Sequence, residues 1–168
     1  MEYVLVVIKP DGMQRNLAGF ALTKFIDEGL MLFGAKLVGV DRDLAEAHYG
    51  QLKDQPFYPG LISFILGEHH GSNKVLAFVF GGEGAVARAR CVAGATNPEL
   101  ADPLSIRGAV GRITTKNVFE NVVHVSSDPQ EARREIQLWF RPEETIEEIF
   151  PTEKIICNEC EMRTWKTR

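Results

Sequence analysis

A histidine set among valines, followed one helix later by a carboxylate, has the makings of a nucleophile. His124 follows Val122 and Val123 and precedes Val125, so its imidazole stands at the edge of an apolar run. In the segment that follows, Ala132, Ile136, Trp139 and Phe140 repeat at helical spacing, and Glu135 lies beside that stripe, three residues from Ala132 and four from Trp139. A carboxylate there points partly inward and needs a donor, because burying an unpaired charge is costly. An imidazole N–H is the nearest candidate, and Ser126 could bind the same carboxylate. A Glu that holds one ring nitrogen fixes the tautomer and leaves the other nitrogen free to attack. Spacing alone leaves a plainer pair of readings open: a hydrogen-bonded core histidine, and an exposed Glu135 in a charged helix.

Three separated cations could serve such a nucleophile: Lys9 after the first apolar run, Arg90 near the end of a helical segment, and Arg107 in a long loop. Each alone suits a solvated surface, but together they suggest a phosphate clamp. Phosphoryl transfer asks for charge neutralisation and in-line positioning more than for covalent machinery beyond the acceptor. Thr96 and Tyr49 add hydroxyl donors. No Gly-x-x-x-x-Gly-Lys-[Ser/Thr] loop and no dinucleotide fingerprint occurs, so a bound nucleotide is not cradled in the common glycine-rich manner.

The elements that must position these groups are legible in outline. Tyr3 to Ile8 reads as a central strand buried on both faces, and Lys-Pro-Asp-Gly after it as a turn that delivers Lys9 to a loop. Leu17 to Leu30 has amphipathic helical spacing with Gly29 suited to its C-terminal cap, and Leu32 to Val40 reads as a strand. Asp43 and Glu46 look like a capping box for a helix carrying His48 and Tyr49, which Asp54 to Gly60 breaks. Leu61 to Leu66 reads as a short helix, Glu68 to Asn73 as a polar loop, and Val75 to Phe80 as a strand ended by Gly81-Gly82. Glu83 to Ala93 then suits a helix. Gly94 to Glu120 is irregular and, at that length, functional. Asn121 to Val125 reads as a strand, and Asp128-Pro129-Gln130-Glu131 as the start of a helix. This order fits an α+β sandwich, helices over a mainly antiparallel sheet.

At 168 residues the chain is about one domain long. With 45% hydrophobic and 25% charged residues it should bury a real core. Its 19 basic against 23 acidic side chains, net −4, give no broad electrostatic footprint for nucleic acid. No apolar stretch is long enough to span a membrane, the N-terminus lacks secretory-signal features, and three cysteines make no disulfide framework, so the expectation is cytoplasmic.

Seven motifs in order resemble nucleoside diphosphate kinases: Ile8-Lys9-Pro10-Asp11-Gly12-Met13-Gln14-Arg15, His48-Tyr49, Asp54-Gln55-Pro56-Phe57-Tyr58, Gly94-Ala95-Thr96-Asn97-Pro98, Ile106-Arg107-Gly108, Asn121-Val122-Val123-His124 and Glu135 to Phe140. The resemblance runs from about Tyr3 to Glu144. It implies a ferredoxin-like α/β sandwich and a ping-pong reaction in which His124 takes the γ-phosphoryl of a nucleoside triphosphate such as ATP and passes it to a nucleoside diphosphate. It implies that Glu135 orients His124, that Arg90, Thr96 and Arg107 hold the phosphates with Mg²⁺, and that Lys9 and Asn121 contact the ribose hydroxyls. Lys9 and Tyr49 would also approach the transferred phosphoryl. Phe57 would stack on the base with Val118 as the apolar residue across the slot, and stacking accepts any base. The magnesium is expected on phosphates and water, not in a protein cage. A homo-oligomer built from dimers, hexamer or tetramer, is also implied.

Several positions depart from the family pattern. Val125-Ser126-Ser127-Asp128 replaces the usual Gly-Ser-Asp-Ser, which would put a β-branched neighbour on the phosphate side of His124. The chain between Arg107 and His124 is a few residues longer than in most members, with Phe119 where glycine is common, and its length bears on the oligomer. A second insertion, around Glu68 to Lys74, is expected to lie away from the motifs. Residues 1–150 read as the kinase domain and 151–168 as an extension whose Cys157-Asn158-Glu159-Cys160 suits ordinary thiols in an extended tail; a redox pair or a metal site completed by another subunit are the other readings, with His69-His70 as further ligands or simply a polar loop. The rival to the enzyme is a low-activity nucleotide-binding regulatory or assembly protein on the same fold.

Overall fold

The apolar run that opens the chain forms the middle of a four-stranded sheet. In the computed structural model, which describes residues 1–115, 118–157 and 160–166 apart from the side chains of 156, 157 and 160–163, strand β1 (Glu2–Ile8) pairs antiparallel on both sides. The chain continues through α1 (Pro10–Gln14), α2 (Ala18–Asp27), β2 (Met31–Gly39), α3 (Arg42–Tyr49), α4 (Tyr58–Ile65), β3 (Lys74–Gly82) and α5 (Ala85–Ala93). It then forms α6 (Ile106–Val110), β4 (Arg112–Ile113), β5 (Phe119–Glu120), β6 (Val123–Val125), α7 (Pro129–Trp139), β7 (Thr152–Cys157) and β8 (Cys160–Trp165). The sheet order is β2-β3-β1-β6 with every neighbouring pair antiparallel, which is the ferredoxin-like α+β arrangement.

Because side chains alternate across a strand, each central strand feeds two cores. Val4, Val6, Ile8, Phe78, Phe80, Val123 and Val125 meet Ala21 and Phe25 of α2 and Ala85, Ala89 and Ala93 of α5. On the other face Leu5, Val7, Ala77 and Val79 meet Ala45 and Tyr49 of α3, Ile62 and Ile65 of α4, and Ile136 and Trp139 of α7. Each fully buried aliphatic side chain contributes about 1.5–3 kcal/mol. The second face carries His48, Tyr49, His124 and Glu135, while Arg90 and Arg107 come from helices packed on the first.

Local chemistry shifts several expected boundaries. Lys-Pro-Asp-Gly is not an open turn: Pro10 occupies the first helical turn, where its missing N–H costs nothing, and α1 begins directly after Lys9. Helix α3 is capped by Asp41, which accepts from Leu44 N–H at 2.9 Å, and not by Asp43. Pro59 likewise starts α4 at Tyr58, three residues before the expected Leu61. Gly29, with φ +80°, closes α2 as expected. Gly81-Gly82 does not end β3, since both remain paired to β1, and Gly81 lets the rings of Phe33 and Tyr3 close over the strand. The segment from Gly94 to Glu120 carries a 3₁₀ turn, α6 and the β4–β5 pair.

Residues 151–157 and 160–166 do not trail off as an extended tail. β7 and β8 pair antiparallel, Trp165 Nε1–H donates to Phe140 O at 3.0 Å, and the Trp165 ring meets Phe150 edge-on at 5.6 Å. The expectation for the cysteine pair falls outside the described residues, because neither thiol is among the described side chains.

A methyl group at Gly81 would sit 2.7 Å from Phe33 and 2.9 Å from Tyr3. Gly81→Ala should therefore destabilise the fold by ~1–3 kcal/mol through overpacking. Urea midpoints measure this, and a neutral substitution would show that β3 ends before Gly81 in solution.

Candidate active site

Strand β6 pairs with β1 so that His124 stands opposite Val7, and alternation turns Val123 and Val125 to the first core and His124 to the second face. Val125 therefore does not crowd the phosphate side of His124, as its place in the sequence suggested; it is a core residue on the far side of the sheet. Asp128 caps α7 by accepting from Gln130 and Glu131 N–H, both at 2.9 Å, with Pro129 in the first turn. Two turns on, Glu135 is buried and its Oε1 lies 3.0 Å from His124 Nε2. Its Oε2 accepts from Ser126 Oγ at 2.6 Å, and that hydroxyl in turn accepts from Leu5 N–H at 3.1 Å. Burial alone would raise the Glu135 pKa, but His124, His48 and the Ser126 hydroxyl bring it down to about 2. The carboxylate is thus ionised, holds the proton of His124 on Nε2, and leaves Nδ1 unprotonated.

His48 supports this pair from α3. Its ring packs edge-on against His124 with centroids 4.4 Å apart, and its Nδ1 accepts from Trp139 Nε1–H at 3.1 Å. Burial, then His124, lower its pKa to about 3. The ring is therefore neutral, and its 3.7 Å approach to Glu135 Oε1 is not an ion pair. Arg134 of α7 fixes the end of α3 by donating to Ala47 O at 2.9 Å and His48 O at 2.8 Å.

Immediately before His124 the backbone is strained. Val122 has φ +67°, rare for a β-branched residue, and Val123 N–H donates to Asn121 O at 2.7 Å, closing a three-residue turn. Such a conformation costs about 1–3 kcal/mol and persists only where neighbours enforce it. Here Asp11 Oδ2 accepts from Val122 N–H at 2.8 Å and Val122 O accepts from Lys9 N–H at 2.8 Å. The turn aims the Asn121 side chain at Lys9: Asn121 Oδ1 accepts from Lys9 Nζ, and its amide donates to Thr96 O at 2.7 Å. Burial lowers the Lys9 pKa to about 8 against the pull of Asp11, with Arg107 adding to the lowering.

Arg107 joins the cluster from α6. It donates to Gly94 O and to Val123 O, both at 2.8 Å, while its buried Nε has no partner. Burial and then Arg90 lower its pKa to about 10. Tyr49 is buried with its ring 6.2 Å from that of His124, and burial raises its pKa, so the phenol stays a neutral donor. Arg90, Thr96 and Phe57 are exposed, with Phe57 at the N-cap of α4. Val118 is half-buried beside β5, its N–H donating to Thr114 Oγ1.

A family model described as nucleoside diphosphate kinase matches residues 2–145. The nucleoside diphosphate kinase of Thermosynechococcus vestitus is 45% identical over 146 residues, spanning 87% of this chain and 91% of that one. The cytosolic nucleoside diphosphate kinase of Dictyostelium discoideum is 42% identical over 89% of this chain and 91% of its own. The chain belongs to the nucleoside diphosphate kinase family. Solved structures agree in fold: the Halobacterium salinarum kinase in complex with CDP has a TM-score of 0.78 at 36% identity, covering 87% of this chain and 91% of that one. The Borrelia burgdorferi kinase, a transition-state mimic with vanadate and ADP, has 0.78 at 31% identity, covering 86% and 90%.

His48 stands out in the sequence only as the neighbour of Tyr49, and Asp11 only as part of a turn; neither spacing nor composition signals that His48 is buried against His124 and Asp11 against the backbone of Val122. The insertion around Glu68 to Lys74 does not lie away from the motifs. It brings His70 Nε2 within 3.3 Å of Glu120 Oε1, next to Asn121, so His70 is buried and not part of an exposed polar loop.

Two buried groups, His48 and Glu135, should make this kinase lose stability in acid through overlapping pH windows. His48 stays neutral when folded down to pH about 3 but takes a proton near 6.5 when unfolded, so its contribution is full above 6.5 and is lost as pH falls toward 3. Glu135 contributes fully above 4.5 and loses its contribution as pH falls toward 2. His48→Gln should flatten the stability profile from pH 6.5 down to about 3, acting alone above 4.5, and Glu135→Gln should flatten it from 4.5 down to about 2. Each limb is worth on the order of a few kcal/mol in urea titrations.

Proposed function

We propose that this nucleoside diphosphate kinase works by ping-pong through a phosphoenzyme at His124. The observation that carries the reading is the 3.0 Å contact of Glu135 with Nε2, which leaves Nδ1 as the attacking atom. The Nδ1 lone pair forms a bond to the γ-phosphorus as the bond to the β-phosphate oxygen breaks, and the diphosphate leaves with that electron pair. A second diphosphate reverses these events and leaves as a triphosphate. Glu135, buried and ionised, stabilises the positive charge the imidazole gains. Arg107 and Lys9 are already desolvated, so the phosphates meet cations that need no reorganisation. Arg90 and Thr96 add donors to the phosphates, Tyr49 a neutral hydroxyl near the transferred group, Asn121 and Lys9 the ribose contacts, and Phe57 with Val118 the base slot. A slot built on stacking supports use of several bases, with ATP as a donor.

The donor set bears on the metal. Among the described residues the His/Cys/Asp/Glu cluster that could hold an ion is His48, His124 and Glu135, whose imidazole nitrogens suit softer metals than magnesium. The residues fit a Mg²⁺ that arrives on the nucleotide, held by phosphates that Arg90, Thr96 and Arg107 position. When bound it neutralises phosphate charge.

The further assignments rest on plainer support. A homo-oligomer built from dimers, hexamer or tetramer, is supported by exposed Phe20 and Ile26 on α2 and Met31, Leu32 and Leu37 along the edge strand β2. A cytoplasmic setting without membrane insertion is supported by the cytosolic Dictyostelium relative and by the lack, among described residues, of a helix long and apolar enough to cross a membrane. The net charge of −4 supports no specific nucleic-acid role. Residues 1–150 would be the kinase domain and 151–168 an extension, a reading supported by the contacts of Trp165 with Phe140 and Phe150.

Intact-protein mass spectrometry after mixing with ATP and Mg²⁺ should show one added phosphoryl group that excess GDP or dCDP removes. His124→Ala should abolish it, and Glu135→Gln should slow it by on the order of 10²-fold. Nucleotide binding without a phosphoenzyme would instead identify a binding module. With Lys9 titrating at about 8, the rate of phosphoenzyme formation at low ATP should fall as pH rises through that value. Lys9→Arg should remove this alkaline limb whatever its residual rate, and an unchanged limb would clear Lys9 of the role.

A further inference from the structure

The two segments by which this chain is longer than the family resemblance implies meet each other. Glycines with positive φ at Gly67 and Gly71 fold the first into a tight turn that buries His70, which is 9% exposed. Its Nε2 lies 3.3 Å from Glu120 Oε1, in the second segment. The other oxygen of Glu120 accepts from Arg112 Nε, and Arg112 and Glu120 are also partners in the β4–β5 pairing. Glu120 is buried, 7% exposed, and immediately precedes Asn121. The His70 ring also packs edge-on against Phe64 at 5.0 Å, and Lys9 Nζ sits 4.5 Å above that same Phe64 ring. Gln14 of α1, the helix that starts after Lys9, donates to His70 O at 3.5 Å.

His70 therefore touches both sides of the Lys9–Asn121 pair, through Phe64 under Lys9 and through Glu120 beside Asn121. We propose that His70 is a positioning residue for nucleotide recognition: by holding Glu120 against Arg112 it fixes the end of β5, and with it the Asn121 amide that sets Lys9 for the sugar hydroxyls. The substrate feature it serves is the 3′-hydroxyl of a ribonucleotide or 2′-deoxyribonucleotide. This rests on the reading of Lys9 and Asn121 as sugar contacts. The His70 Nε2–H donates to the carboxylate, which places its buried, partnerless Nδ1 as a lone pair and not as an unpaired donor. Loss of the ring leaves a buried carboxylate oxygen without its donor, and Glu120 must then turn toward water and take the adjacent backbone with it.

A residue that only filled space would affect all nucleotides alike, whereas a residue that sets the sugar contacts affects the preference between sugars. Calorimetric Kd values for ADP and for 3′-deoxy-ADP, on the full chain, give that preference without turnover. The wild-type chain should prefer ADP by about tenfold, the scale of one charge-assisted hydrogen bond. His70→Ala and Glu120→Gln should each bring the preference to about twofold, and His70→Gln, which restores an N–H donor, should recover most of it. Glu120→Gln keeps the volume of the side chain, so it decides the matter if His70→Ala fails to fold. A wild-type chain without sugar preference, or a folded Glu120→Gln variant that keeps the wild-type preference, overturns the proposal. Failure of the kinase reading shows separately, as a wild-type chain that forms no phosphoenzyme on His124 with ATP.

Discussion

A buried carboxylate must be surrounded by donors before anything around it can be built, and Glu135 sets that condition for this molecule. It sits on the apolar side of α7, which packs on β1 through Ile136 and Trp139. Both of its oxygens are taken, one by the His124 imidazole and one by Ser126. Ser126 is itself tied to the backbone of Leu5 in the central strand, so helix, edge strand and central strand are held in one register by a single charge. Leaving either oxygen unpaired at this depth would cost several kcal/mol, which makes the arrangement close to all-or-none. The same requirement that stabilises the packing selects the imidazole tautomer, so stability and reactivity are not separable at this position.

The cations are organised by an opposite logic. Lys9 and Arg107 are held away from water by backbone carbonyls and an amide, and burial lowers the pKa of both. Neither faces a full carboxylate partner in a close ion pair; Asp11 offsets their charge from nearby while spending one oxygen on the backbone of Val122. Cations left short of compensation are poised for an anion. The strained Val122 belongs to the same economy, because the turn it permits brings His124, Asn121 and Lys9 to one place, and the protein holds it with hydrogen bonds from the residues it serves. An overall charge of −4 coexists with this site because the relevant field is set by a few desolvated groups and not by the sum over the surface.

What could be read from the sequence was what depends on neighbours along the chain. The double-sided apolar run of β1, the Asp128-Pro129 start of α7 and the inward lean of Glu135 all follow from local periodicity and capping, and all are present. Local chemistry also misled where two signals competed: Asp41 and not Asp43 took the cap of α3, and proline extended helices at Pro10 and Pro59 where it was read as a turn. The face of Val125 was a question of strand parity, which cannot be settled until the strand's boundary is known. His48 was hidden for a different reason. Its role comes from Trp139 and His124, which lie 91 and 76 positions away, and no spacing rule reaches that far.

The meeting of the two longer segments shows how such distant coupling can arise at little cost. Lengthening a surface loop adds closure entropy only logarithmically, so a few extra residues are tolerated if the chain can turn sharply, and Gly67 and Gly71 provide the turns. A loop so placed ordinarily stays polar and solvated. This one buries a histidine against Phe64 and Glu120, and a buried imidazole persists only where a partner compensates the lost water. The partner it found, Glu120, stands next to Asn121 in the chain. Two buried carboxylates thus each pair with a histidine: Glu135 with His124, which keeps 18% of its side chain exposed, and Glu120 with His70, which keeps 3%. The difference in exposure separates the two roles: an imidazole must reach the phosphate to react with it, and one sealed behind Phe64 can act only through what it holds.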